Sequence, residues 1–224
     1  WENFPKSLGY HEGRLEIGLF PRADGPFELQ GGERKTHRFW LSGADGGESL
    51  SWTFAPPIAT VNYERYVRAD LLPALGEDVH PIDTILDDAL NGEDSLFANR
   101  ESVDEYGWRN FGEIFAEHET QYYDGAEPLI SHYNNQFDLV LGFLLNYLRT
   151  RDRRLFSLGD ALARHVLDID VYWTKEDRSE YNGGLFWFTD HYLHAHTSTH
   201  RAYSRHNQVE GQDYGGGPGA EHNF

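Results

Sequence analysis

The strongest periodicity lies in the middle of the chain. Phe137, Leu141, Leu144, Leu145 and Leu148 recur at 3.6-residue spacing and predict a helix from Ser131 to about Thr150. Ser131 is the expected N-cap, its hydroxyl accepting a free backbone N–H of the first turn. After the short connection Thr150-Arg-Asp152, Leu155, Leu158, Leu162 and Val166 predict a second helix from about Arg153 to Asp168. Helices joined by so short a turn pack antiparallel, and such a hairpin is the repeating unit of an α/α toroid. Another helix is expected to begin at Pro218-Gly-Ala-Glu-His-Asn-Phe224. Its polar and imidazole groups would share a rim with those of Ser131-His-Tyr-Asn-Asn135.

The first 57 residues carry a different pattern. Arg14–Phe20 alternates in part, Thr36–Leu41 is short and aromatic, and Gly31-Gly32 and Gly43 to Gly47 are turn signals. Pro56-Pro57 closes this part. The expected fold class is mainly α: residues 1–57 form the end of an antiparallel β-sandwich, and residues 58–224 form a partial α/α toroid.

Composition narrows the picture. At 224 residues and 39% hydrophobic content the chain can bury a substantial core, and it has no apolar run of 18 residues that would span a bilayer. A start at Trp1, an end just after a glycine-rich run and the lack of methionine suggest an internal fragment. Zero cysteines exclude disulfides and thiolate chemistry within it. A net charge of −18 opposes nucleic acid and anionic membranes, and an acidic polysaccharide would need locally concentrated cations. With only three lysines, the chain has either the composition of a protein adapted to high salt or that of an ordinary acidic secreted enzyme.

Candidate chemistry concentrates between Tyr181 and Asn207, where five of the twelve histidines lie between His191 and His206. One reading is structural, with the histidines capping helices and bonding one another. A metal reading uses His196 and His200, four apart, with Asp190 as a third ligand, but the glutamate of His-Glu-x-x-His is missing. An acid–base reading uses His200 and Tyr203, neighbours on one helical face, with Arg201 and Arg205 beside them and His191 as a further catalytic candidate. This set suits β-elimination of a uronic acid. A neutral imidazole or a tyrosinate removes the proton α to the carboxylate, and cationic or hydrogen-bonding groups stabilise the enediolate. Arginine holds a carboxylate with two parallel bonds. His132, Asn134, Asn135 and His222 are further substrate-binding candidates, and Trp187 and Tyr192 offer faces for sugar stacking. Arg109 suits either a substrate carboxylate or a buried ion pair. No metal site is assigned, although a divalent cation such as calcium is compatible with this chemistry.

Several of these segments, in order, resemble the exo-rhamnogalacturonan lyase family. They are Trp108-Arg-Asn-Phe-Gly112, Ser131-His-Tyr-Asn-Asn-Gln136, Arg164-His-Val-Leu-Asp-Ile-Asp170, Gly184-Leu-Phe-Trp187 with Thr189-Asp-His191, Thr197-Ser-Thr-His-Arg201 and Gly215-Gly-Gly-Pro-Gly219. Leu29-Gln-Gly-Gly-Glu-Arg-Lys-Thr-His37 is similar to the family too, so the resemblance spans nearly the whole chain. It implies a central β-sandwich followed by an α/α toroid, and eliminative cleavage of the rhamnogalacturonan backbone of pectin. It also implies an acidic plant cell-wall polysaccharide as partner and an extracellular or periplasmic location. Phe188 and Trp173 depart from the pattern by standing where histidine is expected, which bears on specificity. Two other readings stay open: a toroidal glycoside hydrolase pairing Asp190 with Glu119 or Asp213, and a non-catalytic carbohydrate-binding protein.

Overall fold

A computed structural model describes residues 2–21, 27, 29, 31–42, 50–54, 56–70, 82–115, 135, 137–177, 179 and 181–186. Of these residues 44% are helical and 9% extended, so the described part is mainly α. The expected turns at Gly43 to Gly47, the Ser131 cap and the helix start at Pro218 lie outside the described residues.

The amino-terminal part contains one hairpin. Strands β1 (Ser7–His11) and β2 (Arg14–Gly18) pair antiparallel in the register His11 to Arg14. The turn residues Glu12 and Gly13 both have positive φ, as a two-residue hairpin that matches strand twist requires. The predicted strand at Thr36–Leu41 is not present: this stretch is irregular. Its backbone is occupied elsewhere. Thr36 N–H donates to the Asp168 carboxylate at 2.8 Å, and Arg34 N–H donates to the Asp168 carbonyl at 2.7 Å. At the start of the stretch the backbone thus bonds to Asp168 rather than to a neighbouring strand.

Four short helices follow: α1 (Tyr63–Ala69), α2 (Asp83–Asn91), α3 (Leu96–Ser102) and α4 (Gly107–Asn110). Asn62 caps α1 by accepting from Glu64 N–H at 2.9 Å, and Ser95 caps α3 by accepting from Ala98 N–H at 3.3 Å. The centre of the fold is the pair α5 (Leu139–Thr150) and α6 (Arg153–His165). Asp152 caps α6 by accepting from Arg154 N–H at 2.9 Å.

The α5–α6 hairpin matches the predicted pairing, with two corrections at its ends. Helix α5 begins at Leu139, not Ser131, because Asp138 sits at φ 49, a left-handed conformation that a right-handed helix cannot run through. The buried face shifts accordingly. Phe137 and Leu141 are exposed, while Phe143 and Tyr147 are buried. Helix α6 stops at His165 and passes into a π-turn over Val166–Asp170, closed by Val171 N–H donating to Val166 O at 3.0 Å.

The two helices run antiparallel. Phe143 and Leu144 face Gly159, and three residues later Tyr147 stacks edge-on against Phe156 with centroids 5.3 Å apart. A Cβ at Gly159 would lie 3.2 Å from Leu144 Cδ2, so glycine allows the close approach. Leu155, Leu158 and Leu162 are almost fully buried and join Leu90 of α2, Ile114, Phe143 and Tyr147 in one core cluster. Burying each such side chain stabilises the fold by roughly 1.5–3 kcal/mol. Among the described residues no helix is long and apolar enough to cross a membrane.

Leu162 contributes to the centre of this core, so Leu162→Ala should destabilise the protein by about 2–5 kcal/mol through lost transfer energy and a cavity. Urea unfolding measures it. An unchanged midpoint with an unchanged slope would show that the α5–α6 interface is not the core of the folded state.

Candidate functional site

The apolar stripe of α6 ends on a polar residue. Leu155, Leu158 and Leu162 lead to His165, which occupies the next inward position and is also fully buried. Its Nε2 lies 3.3 Å from Glu113 Oε1 and 3.5 Å from Asp170 Oδ1. Each carboxylate has an identifiable local cause. Glu113 follows Gly112, which has φ +111, and a Cβ at Gly112 would sit 2.4 Å from the Ala161 carbonyl. Only glycine lets this loop lie directly on α6. Asp170 closes the π-turn, a widened turn that often marks functional positions.

Asn135 completes the group. Its Nδ2 donates to Asp170 Oδ2 at 2.7 Å and to the Phe186 carbonyl at 2.8 Å, and Phe186 N–H donates to the Asp170 carbonyl at 3.0 Å. Two acceptors on one side fix the orientation of the amide. Three segments far apart in sequence, around 135, 165–170 and 184–186, therefore meet at one buried point.

Two carboxylates beside one imidazole set its protonation. Burial alone disfavours the imidazolium, but Glu113 and then Asp170 outweigh it, and the His165 pKa rises to about 10. The donor atoms of Glu113, His165 and Asp170 all lie within 4.8 Å of one another, a grouping that can hold a metal ion. The trio thus has two possible occupants, a proton or a metal.

A second set of buried charges fastens the amino-terminal part to the same place. Asp168 accepts from Thr36 N–H and from Thr36 Oγ1, both at 2.8 Å, with Lys35 Nζ 3.7 Å away. Arg109 of α4 donates twice to the Glu33 carboxylate, at 2.6 and 3.0 Å, and its guanidinium lies over the Trp108 ring. Trp173 N–H donates to the Gly32 carbonyl at 3.0 Å, and Arg34 stacks on the Trp173 ring 4.0 Å from its centroid. Lys35 lies close enough to Lys6 to perturb it. The Lys6 pKa falls to about 8, chiefly by burial and then by the charge of Lys35. Lys35 is also lowered by burial, and Asp168 opposes that shift in part.

Of the residues expected from sequence to form a site, Asn135 and Arg109 lie among the described residues. Asn135 spends both described N–H bonds on Asp170 and Phe186, and Arg109 forms the ion pair with Glu33. His132, Asn134, Trp187, His191, Tyr192, His200, Arg201, Tyr203, Arg205 and His222 lie outside the described residues. So do the metal candidate His196 and the acids Glu119, Asp190 and Asp213. Glu33, Glu113, His165, Asp168 and Asp170 were not singled out by sequence chemistry, although all but Glu113 fall within motifs that carry the family resemblance. The signal for His165 is its place on the inward stripe of α6, where an apolar residue is expected. Glu113 carries no comparable signal. A separate open cavity of about 410 Å³ lies where α5 ends and α6 begins, lined by Asp83, Asn91, Arg149, Asp152 and Arg154. It lies at the opposite end of the hairpin from His165. Comparisons with protein-family models, curated proteins and solved structures found no match.

Two outcomes follow from these charges. Removing one partner of a buried ion pair strands the other, so Glu33→Ala should cost about 3–5 kcal/mol in thermal or urea unfolding. The double replacement Glu33→Leu with Arg109→Leu should recover much of that loss. A Glu33→Ala protein as stable as the original would show that the pair does not fasten the segment. For His165 the folded-state pKa lies above the unfolded value, so its contribution is full below the unfolded pKa and is lost as pH rises towards about 10. In chelator-treated protein, imidazole nitrogen NMR shifts should show a doubly protonated ring at pH 8. A ring titrating near the ordinary imidazole value of 6.5 would contradict the geometry.

Proposed function

We propose that the chain is part of a polysaccharide lyase that cleaves the rhamnogalacturonan backbone of pectin by β-elimination at galacturonate. In this reading the described hairpin β1–β2 belongs to the end of a β-sandwich, residues 1–57, and the helices belong to a partial α/α toroid, residues 58–224. The observation that supports it is the Asn135 bridge. The bridge links the Ser131–Gln136 motif to the Gly184–Trp187 motif, and the latter leads directly into the histidine-rich stretch. Asn135 and Phe186, one from each of two segments expected to face each other across a cleft, are thus joined.

The chemistry is assigned by residue type. His200 removes the proton α to the galacturonate carboxylate, and Arg201 and Arg205 hold that carboxylate and the charge that develops on it. The electron pair then expels the glycosidic oxygen, which Tyr203 protonates, leaving a carbon–carbon double bond conjugated with the carboxylate. His191, His132, Asn134 and His222 support the polar wall, and Trp187 and Tyr192 stack on sugar faces, while Arg109 is committed to the Glu33 carboxylate. Asn135 acts in this scheme as a positioning residue, since its amide hydrogens are engaged within the protein. A divalent cation such as calcium in the cleft would further offset the carboxylate charge. A pectin-derived polymer implies an extracellular or periplasmic site of action.

A chain with net charge −18 must gather cations where an anionic polymer binds. Incubating the parent protein with rhamnogalacturonan should release unsaturated products that absorb in the ultraviolet, and His200→Ala should lower kcat by about 10²–10⁴-fold. Saturated products would favour the hydrolase, and binding without turnover would favour a carbohydrate-binding protein. Either result overturns the lyase assignment.

A further inference from the structure

We propose that Glu113, His165 and Asp170 form a structural site for a transition-metal dication of the zinc or manganese type. The inference goes beyond the lyase reading and stands whether or not the cleft eliminates uronates.

Convergence is the first argument. Both carboxylates approach the same imidazole nitrogen, Nε2, at 3.3 and 3.5 Å. That nitrogen has one lone pair or one N–H, so it can make one well-directed hydrogen bond and not two. Charge-assisted N–H···O bonds close to about 2.7–2.9 Å, shorter than either contact. The spacing fits a different object. Donors placed about 2.0–2.2 Å from a tetrahedral metal lie about 3.3–3.5 Å from each other. Here the two contacts have the lengths of ligand edges.

Charge and donor type agree with this. With a protonated imidazole the trio sums to −1, whereas a dication with a neutral imidazole and two carboxylates sums to zero in a buried place. One nitrogen and two oxygens suit zinc or manganese, while calcium takes only oxygen ligands. The surroundings resemble the second layer of a built metal site. Asp170 gives Oδ1 to the trio, and its Oδ2 is held by Asn135 at 2.7 Å, which fixes the carboxylate plane. The ligands come from the loop after α4, the end of α6 and the π-turn. A bound ion would therefore lock these three segments together, with Asn135 and Phe186 behind them.

The experiment uses the full chain, produced with zinc and manganese supplied and then dialysed. Elemental analysis should find about one equivalent of zinc or manganese per chain, and a strong chelator should lower the melting temperature. Asn135→Ala, which leaves all three ligands in place, should weaken metal affinity about 10–100-fold. Asp170→Asn should remove the ion. The pair His196→Ala and His200→Ala should leave it bound, which separates this trio from the histidine-rich stretch. Protein that carries no metal or only calcium, or that loses its metal in the His196/His200 variant while keeping it in Asp170→Asn, would overturn the proposal. The chelator measurement is made on the unaltered chain, so a folding defect in any variant does not decide the outcome. None of these readouts requires substrate, so failure of the lyase assay leaves them independent.

Discussion

A carboxylate taken out of water must be met by donors or cations, and the π-turn after α6 buries two of them, Asp168 and Asp170, on either side of Ile169. Three consecutive buried residues are incompatible with a helix lying on a surface, because successive side chains of a helix point in different directions. The turn must therefore be enclosed on several sides, and the contacts identify what encloses it. Asp168 draws in the 34–36 segment through backbone and hydroxyl donors. Asp170 draws in Asn135 and lies beside His165. The irregular amino-terminal segment and the entry to α5 both take their paths from these demands.

The same constraint explains which features were legible from sequence. The α5–α6 hairpin could be read because apolar packing leaves a periodic trace, and Leu155, Leu158 and Leu162 are buried as their spacing requires. The start of α5 could not be read in that way. Apolar spacing extends back through Phe137, but Asp138 adopts a left-handed conformation, and Asn135 is held by partners 35 and 51 residues away. Thr36–Leu41 has the composition of a strand, yet its first residue gives both its backbone N–H and its hydroxyl to Asp168, 132 residues away. Propensity and period report on neighbours in sequence. The misread positions are those whose hydrogen bonds go to residues far along the chain.

The candidate site shows the same division. Arg109, Asn135 and the histidine-rich stretch stand out by residue type, and Arg109 could be read as an ion-pair partner without its acid being known. Glu33, 76 residues earlier, could be paired with it only in three dimensions. His165, Asp168 and Asp170 lie within the single stretch Arg164–Asp170, but sequence alone does not say that they face inward. Glu113 depends on Gly112, whose lack of a side chain brings the loop onto the Ala161 carbonyl. A single backbone permission at a glycine thus determines whether a second carboxylate reaches the imidazole.

The π-turn gives these observations a common geometry. A wide turn adds a residue relative to an α-turn and so rotates the residues after it around the helix axis. In this protein the rotation follows directly on His165, and Asp170 comes back to lie 3.5 Å from its Nε2. A carboxylate and an imidazole five positions apart would diverge on a regular α-helix, where facing side chains are three or four apart. The widened turn is therefore what makes the Asp170 contact possible, and Asn135 and Phe186 then hold the Asp170 side chain and backbone in that position. Local strand and helix preferences give way at this point, as is common where a fold assembles a site. Up to Phe186, the last described residue, the chain is held by the same few hydrogen bonds that position Asp170.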